Sequence, residues 1–354
     1  MKKFELLSIG NPLVDVFVKT DNALASRYGI IDPVQHVEQD IVDKLLLDPS
    51  LDFSGMVKTS GGGAANVSKI SSMLGMDVSF YGSVGSDAAG GVDEFAKIFK
   101  SELVKAGVAV NLLQTNGKTG VCIACMIDGV IRFAACPGAA LELNESHITE
   151  ELITSADVVV LDGYILDRRP LVQRILWLAS RRGIPVALDV ASVFQVKRKT
   201  EEILHYSRNY PLFIFMNADE AIAFYNTINK NYDDEINSSE KEKEAFILRD
   251  VCPILKIITD GELFPIIVVK LGGRGAIVIA GGNIYREETF TIIPHNTVGA
   301  GDAFCAAFVS AWIRGKSLSE SAALGNKVAR QILEVPGTHI KSGKLKKFAK
   351  VLTK

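Results

Sequence analysis

The most distinctive stretch of the sequence is HNTVGAGDAFCAAF, at residues 295–308. Gly299, Ala300 and Gly301 precede an acid, and the apolar residues after it recur with a period near 3.6, which predicts a buried helix. Glycines at a helix N-terminus leave backbone N–H groups open to an anion. The acid, Asp302, suits the positive end of the helix dipole. An acid beside an anion site makes chemical sense if it accepts a proton while the backbone holds a phosphoryl group. The alternative is that Asp302 only stabilises the N-terminus of the helix and takes no part in a reaction.

Other clusters of glycine and polar residues follow predicted strands. They are GNPLVDV at 10–16, SGGGAAN at 60–66, MNADE at 216–220 and KLGGRG at 270–275. In an open α/β sheet, ligands bind outside the carboxyl ends of the strands, so these clusters are expected to share one edge. A Walker A loop is absent, and so is a GxGxxG fingerprint with its ribose-binding acid. Each cluster alone is typical of a plain turn, and only their combination is specific.

Composition narrows the class of protein. The chain has 354 residues, of which 48% are apolar and 23% charged, and its formal net charge is −2. This is ordinary globular usage, and the lack of a basic excess argues against a nucleic-acid partner. No stretch approaches the ~18 apolar residues of a membrane helix, and the N-terminal apolar run is too short for a signal peptide. We therefore expect a cytoplasmic monomer or homodimer that acts on a small molecule, with no nucleic acid or membrane partner.

The cysteines do not indicate a redox or metal site. Of the five cysteines, Cys122 and Cys125 form a CxxC inside the apolar stretch TGVCIACMID, which is typical of a strand. A spacing of three residues puts the two thiols on opposite faces of a strand. No second CxxC or paired histidine supports zinc. We interpret the cysteines as buried structural residues.

The order of predicted elements indicates an α/β fold. After residue 150, apolar strands alternate with amphipathic helices, which favours a parallel sheet covered on both faces. The β-rich pieces before residue 137, including a hairpin around the Asp-Gly at 128–129, do not fit that sheet and are expected to form a small lid. The predicted large domain comprises residues 1–14, 61–114 and 138–354. The predicted lid comprises residues 15–60 and 115–137.

Together these motifs resemble a known family. SGGGAANVSKISSMLG…YGSVGSDAAG and NTVGAGDAF resemble the two signatures of the PfkB/ribokinase family of sugar and nucleoside kinases. VKLGGRGA and the NxxE of NADE match two further motifs, all in family order over essentially the whole chain. GNPLVDV, TGVCIACMI, GYILDRRP and LDVASVF resemble the adenosine-kinase-like branch. The resemblance implies ATP-dependent transfer to a hydroxyl, usually the primary one, of a furanose. It also implies a ribokinase-like (Rossmann-like), doubly wound, mostly parallel sheet with a small β-sheet lid.

On the acceptor side, the resemblance implies that Asp302 is the general base. It also implies that the N–H groups of residues 299–301 stabilise the charge that develops during the transfer. The transition state of phosphoryl transfer is loose and needs mainly positioning, so an acid with an ordinary pKa of roughly 3.9 suffices. Asp15 would hold the ring hydroxyls of the sugar, with a turn cap as the alternative. The other residues implied around the acceptor, of which the last two approach a base, are Asn11, Gly62, Gly63, Asn66, Arg132 and Tyr164.

On the nucleotide side, the resemblance implies ATP with Mg²⁺. Asn217 and Glu220 would orient the Mg²⁺ through the waters that this ion usually keeps; a helix cap with a surface acid is the alternative. Asn296 replaces the Asp that the family usually has, which keeps a hydrogen-bonding turn but removes a charge near the triphosphate. A role of that carboxylate in binding a monovalent cation such as K⁺ therefore stays open. The residues implied at ATP are Asn217, Lys270, Gly272, Gly275, Asn296 and Asn326.

The identity of the acceptor is the least constrained prediction. Apolar lid strands favour a neutral acceptor, and an aromatic at Tyr164 favours a nucleoside, so adenosine is expected first. A free sugar or sugar phosphate is the alternative, and a phosphate would need lid cations, for which only Lys58 and Lys118 are candidates; both are expected to be solvated. Two other classes are a nucleotide-binding regulator without catalysis, opposed by the intact GAGD, and an NAD-dependent enzyme, opposed by the missing GxGxxG.

Overall fold

The computed structural model describes most of the chain. The described residues are 3–31, 34–51, 57–127, 130–230, 239–261, 263, 265–292, 298–334, 345, 347–349 and 352.

The strands of these residues are β1 (Phe4–Ile9), β2 (Leu13–Lys19), β3 (Val34–His36), β4 (Lys58–Gly61), β5 (Val78–Val84), β6 (Ala109–Gln114), β7 (Thr119–Ile127), β8 (Val130–Gly138), β9 (Ala156–Asp162), β10 (Val186–Asp189), β11 (Leu212–Asn217), β12 (Ile266–Lys270), β13 (Ala276–Ala280) and β14 (Asn283–Glu287). The α-helices are α1 (Asn22–Arg27), α2 (Gln39–Leu47), α3 (Gly63–Met73), α4 (Glu94–Lys105), α5 (Glu150–Thr154), α6 (Arg169–Arg181), α7 (Val193–Asn209), α8 (Ala218–Ile228), α9 (Glu240–Phe246), α10 (Cys252–Thr259), α11 (Ala300–Ile313) and α12 (Leu318–Leu333).

The larger of the two sheets has the order β14-β13-β12-β11-β10-β9-β1-β5-β6 within the described ranges. The seven neighbouring strands β12, β11, β10, β9, β1, β5 and β6 are parallel. Strands β13 and β14 extend the sheet antiparallel at the β12 edge. Side chains alternate between two cores, as a period of two requires. In β11, for example, Phe213 and Phe215 join one core and Ile214 and Met216 join the other.

Helices cover both faces of this sheet. Buried residues of α3, α11 and α12 belong to the first core, and those of α6, α7, α8 and α10 belong to the second. Burial on both faces explains why the strands read as continuous apolar runs in the sequence. The predicted ribokinase-like, doubly wound and mostly parallel fold is confirmed. None of the described helices combines the length and apolar character needed to cross a bilayer.

The smaller sheet has the order β3-β8-β7-β2-β4. Its register aligns four residues in one row across the strands: Asp15, Cys122, Ala135 and His36. Residues directly opposite one another share a face of a sheet, so these four side chains lie on the same face. The division of the chain into a lid at 15–60 and 115–137 and a larger domain stays a proposal.

The hairpin and cysteine predictions are confirmed. Strands β7 and β8 pair antiparallel, and the turn at 128–129 itself lies outside the described residues. Cys122 pairs with Asp15 and Cys125 with Val18, so the two thiols point to opposite faces. All five cysteines are buried and free of disulfides.

Candidate active site

The glycine-rich stretch before Asp302 forms the beginning of α11, as its spacing predicts. Gly299 is the N-cap residue with a left-handed backbone (φ +80°), a conformation that favours glycine. Ala300, Gly301 and Asp302 form the first turn, in which backbone N–H groups have no acceptor within the helix. The helix therefore presents an anion-binding N-terminus with a carboxylate inside it.

A second helix begins opposite this one. Asn66 lies in the first turn of α3, and its Nδ2 donates to Asp302 Oδ2 at 2.9 Å. A Cβ at Gly63 would lie 3.4 Å from Asp302 Oδ1, so the start of α3 fits closely against the carboxylate. Burial and then the charge of Asp189 raise the pKa of Asp302 to about 6, against the opposing effects of Asn66 and Lys270. Asp302 is therefore a stronger base than a solvated aspartate.

Lys270 adds a positive charge at the same place. Its ammonium forms an ion pair with Asp189, and a Cβ at Gly301 would lie only 3.3 Å from Lys270 Nζ. Burial alone would lower the pKa of Lys270, but the carboxylates of Asp189 and Glu220 outweigh it and raise that pKa. The ammonium stays charged beside the N-terminus of α11 and adds to its attraction for an anion.

A cleft of about 660 Å³ opens at this point. Asn217, Lys270, Asp162 and Asp189 each end a parallel strand at its carboxyl edge, which is where α/β sheets bind ligands. The cleft contains most of the nucleotide-side predictions, together with the start of α11 and two acceptor-side predictions, Gly63 and Tyr164. The predicted residues that line it are Gly63, Tyr164, Asn217, Glu220, Lys270, Gly272, Gly275, Gly299, Ala300, Gly301, Asp302 and Asn326.

Asn217 and Glu220 form a capping box at the start of α8. Asn217 Oδ1 accepts from the Glu220 N–H at 2.9 Å, and both Glu220 carboxylate oxygens accept from Asn217 nitrogens. Glu220 is nonetheless buried rather than a surface acid, and burial followed by the charge of Asp189 raises its pKa to about 7. No cluster of three acids, histidines or cysteines that could hold a metal directly occurs among the described residues. The pair fits a role through water better than direct ligation.

A second cavity, of about 280 Å³, adjoins the first. Asp15 and Asn66 line it, as do Lys69 and Glu102, and Gly299 lines both cavities. The two cavities therefore meet at the N-terminus of α11, beside the bond between Asn66 and Asp302.

Asp15 lies deep in the second cavity. Burial raises its pKa to about 6, Lys69 acts in the opposite direction, and the thiol of Cys122 donates a hydrogen bond to it. A Cβ at Gly61 would lie 2.3 Å from Asp15 Oδ1, so only glycine permits β4 to approach this carboxylate. Asp15 pairs with Thr59 of β4, and its side chain lies over Gly61 at the end of that strand.

Asn11 and Gly62 lie against each other just outside this cavity. Gly62 has φ +95°, and a Cβ there would lie 2.6 Å from the Asn11 carbonyl oxygen. The buried Asn11 side chain accepts a hydrogen bond from Arg168, which also donates to the Ala140 carbonyl. Arg168 thus fixes the orientation of Asn11.

Two of the predicted site residues need a different account. Arg132 pairs with Cys125, whose side chain is on the face opposite Asp15, and its Nη1 donates to the Ile30 carbonyl at 3.4 Å. The strand period thus turns Arg132 to the face opposite Asp15, and its contact with the acceptor stays a prediction. Asn296 lies outside the described residues. Lys58 and Lys118 form ion pairs with Glu94 and Asp43 at the surface.

Sequence reasoning missed Lys69, Glu102, Asp162 and Asp189. Lys69 follows Asn66 by three residues on α3, a spacing that puts both on one helix face. Asp162 and Asp189 end strands β9 and β10, and an acid at the carboxyl end of a predicted strand was a usable signal. Glu102 accepts hydrogen bonds from Thr59 and Ser60 of β4, a contact that no local pattern indicates.

The raised pKa of Asp302 predicts a cost in stability. Its folded value of about 6 exceeds the ordinary 3.8, so its contribution to stability is full below pH 3.8 and is lost as the pH rises through 6. Asp302→Asn keeps an oxygen that can accept from Asn66 and removes the charge. We expect it to raise the free energy of unfolding by about 1–3 kcal/mol at pH 8 and by little at pH 4, measured by urea denaturation. An equal difference at both pH values would contradict this electrostatic explanation.

Comparisons with known proteins identify the family of the chain. The chain matches the pfkB family carbohydrate kinase profile over residues 30–344. It is 24% identical to an adenosine kinase of Schizophyllum commune, over 96% of this chain and 98% of that enzyme. It is 25% identical to a 5-dehydro-2-deoxygluconokinase of Clostridium beijerinckii, over 90% of each. The crystal structure of an adenosine kinase from Sinorhizobium meliloti has the same fold, with a TM-score of 0.75, 23% identity and 99% of each chain covered.

The profile covers most of the chain, and kinases of this family use ATP and generally Mg²⁺. The protein belongs to the PfkB family of carbohydrate kinases and is a phosphotransferase that uses an alcohol group as acceptor.

Proposed function

We propose that the protein transfers the γ-phosphoryl group of ATP to a hydroxyl, the primary one, of a furanose nucleoside such as adenosine. The observation that carries this proposal is that the two cavities meet at Gly299, with Asp302 beside the junction. ATP in the large cleft would present its γ-phosphate to the N-terminus of α11. An acceptor held by Asp15 and Asn66 in the second cavity would present its hydroxyl to the same point.

Asp302 would act as the general base. Its pKa of about 6 keeps it ionised at neutral pH and makes it a better proton acceptor than a solvated aspartate. Asn66 holds one carboxylate oxygen, which leaves the other for the hydroxyl proton. The N–H groups of Ala300 and Gly301 would stabilise charge on the moving phosphoryl group, as preorganised donors do in other transfer reactions.

The nucleotide would lie against the turn at Gly272 and Gly275 and near Asn326, which line the large cleft. Lys270 would bind phosphate oxygens from its position beside Gly301. A bound Mg²⁺ would neutralise phosphate charge, with Asn217 and Glu220 holding its waters, which suits a pair whose own atoms are already hydrogen bonded.

Replacing Asp302 tests the base directly. Asp302→Asn preserves the hydrogen-bond geometry but removes the proton acceptor, so kcat should fall by about 10²–10⁴ with little change in the affinity for ATP. Asp260→Asn, an exposed acid at the end of α10, is the matched control and should keep full activity. Near-full kcat in Asp302→Asn, measured by ADP release with the best acceptor, would refute the assignment.

The row of residues across the small sheet supports a nucleoside acceptor. From Asp15 through Cys122 and Ala135 to His36 the row crosses three strand spacings, about 14 Å at about 4.8 Å each. His36 lies with its ring 5.9 Å from that of Tyr164, edge-on, at the far end of the row. A furanose held at Asp15 would direct a base along this face toward the aromatic side chains.

Lys69 favours a second candidate, a sugar or sugar acid that carries a negative charge. Its ammonium donates to the carbonyl and hydroxyl of Ser60 in the cavity that contains Asp15, and burial lowers its pKa. Glu102, the nearby acid, already accepts three hydrogen bonds from β4. A carboxylate or phosphate on the acceptor would pair with this ammonium.

Tyr164 separates the two candidates. Stacking on an aromatic ring contributes on the order of 1–3 kcal/mol per base, so Tyr164→Ala should raise KM for adenosine by about five- to 150-fold, at about 1.4 kcal/mol per decade. It should leave ribose and fructose nearly unaffected, since they have no base. Tyr164→Phe, which keeps the ring, is the control and should retain a low KM.

The acceptor panel is read by ADP release. One possible result is that the protein phosphorylates fructose 6-phosphate but not adenosine, and that Lys69→Met loses this activity. The acceptor would then be a charged sugar instead of a nucleoside, and the kinase assignment would stand. An equal effect of Tyr164→Ala on every acceptor would show that Tyr164 only packs.

A further inference from the structure

Helix α9 contacts two elements that border the large cleft, which the proposed function assigns to the nucleotide. These elements are the start of α8 and the glycine turn at 272–275. Lys243 Nζ forms an ion pair with Asp219 Oδ1 at 2.7 Å, and Asp219 lies in the first turn of α8 between Asn217 and Glu220. The next residue, Glu244, pairs with Arg274, the last residue of the 3₁₀ turn Gly272–Arg274 that borders the cleft. Neither contact belongs to the catalytic residues.

The Glu244 carboxylate is buried and fully hydrogen bonded, while the side chain of its partner Arg274 is 41% exposed. Glu244 is 7% exposed, and its Oε1 accepts from Arg286 Nη2 at 2.6 Å and from Arg286 Nε at 3.0 Å, while its Oε2 accepts from Arg274. Burial would raise the pKa of Glu244, but the two guanidinium groups outweigh it and lower that pKa. The carboxylate therefore stays ionised between two cations.

Arg286 continues this network into the backbone of the turn. Its guanidinium donates to the carbonyl oxygens of Arg274 and Glu287, and Asn326 Nδ2 donates to the same Glu287 carbonyl at 3.3 Å. Backbone hydrogen bonds close the turn itself, from the Leu271 N–H to the Gly275 carbonyl at 2.7 Å and from the Arg274 N–H to the Leu271 carbonyl at 3.1 Å. The ionic network ties this closed turn to α9.

We infer that the contacts of Lys243 and Glu244 let α9 hold the glycine turn at 272–275 in a fixed position relative to the Asn217–Glu220 cap. The relative position of the turn and the cap sets the affinity for the nucleotide. This inference rests on the proposed placement of ATP in the large cleft. Burying a carboxylate is costly and its ion pairs rarely add net stability, so we assign the Glu244 pairs a role in fixing the position of the turn. Glu244 and Lys243 are positioning residues, since neither lines the cleft.

The test measures binding of the non-hydrolysable analogue AMP-PNP with Mg²⁺ by calorimetry, which needs no acceptor. Glu244→Gln should raise its Kd about tenfold and Lys243→Met in the same direction, within the roughly 5- to 150-fold range of couplings between linked sites. Loss of either contact already releases the turn from the cap. The double variant should therefore bind about as weakly as the weaker single variant. The KM for the acceptor should not change.

Glu5→Gln is the matched control. Glu5 pairs with Arg314 through two 3.0 Å bonds at the C-terminal end of α11, away from the cleft. It should lower the thermal midpoint as Glu244→Gln does and leave the Kd of the analogue unchanged. An unchanged Kd in Glu244→Gln, an equal rise in Glu5→Gln, or additive effects in the double variant would overturn the inference. If the wild-type protein did not bind the analogue, the proposed function itself would fail.

Discussion

The hydrogen bond from Asn66 to Asp302 joins the first turns of α3 and α11, and the site depends on it. Two helix N-termini that point at one place bring two positive dipole ends together, which is favourable only with negative charge between them. Asp302 supplies that charge next to α11, and Asp162 supplies it at α3 by accepting from the Ala64 N–H. The protein thereby holds a carboxylate and two helix N-termini close together, an arrangement suited to positioning a transferring phosphoryl group.

This arrangement concentrates acids whose pKa values are raised. Asp302 and Asp15 have pKa values of about 6 and Glu220 of about 7, in each case first because of burial. Lys270 and Lys69 partly offset the repulsion among them, one in each cavity. Their pKa values therefore lie close to neutral pH, where these acids can exchange protons or respond to a bound cation.

The parts of the site that the sequence predicts are those with a local signal. Asp302 with its glycines, the Asn217–Glu220 cap and the glycines at 272–275 are short motifs at strand or helix ends, and the rule for carboxyl ends of parallel strands brings them together. The parts that it does not predict depend on contacts between distant segments. The face on which Arg132 lies follows from the register of β8 with β7, and the pair of Lys270 with Asp189 joins positions 81 residues apart.

The pH dependence of the transfer step tests the central claim most directly, namely that Asp302 accepts the proton where the two cavities meet. The rate of a single turnover would be measured at saturating ATP and acceptor between pH 5 and 8, in the wild type and in Asp302→Asn. An acid with a pKa of about 6 accepts a proton only when ionised, so the wild-type rate should fall as the pH drops through 6. The variant should be slow and should lack this fall. A wild-type rate that is constant over this range, or the same fall in Asp302→Asn, would contradict the account.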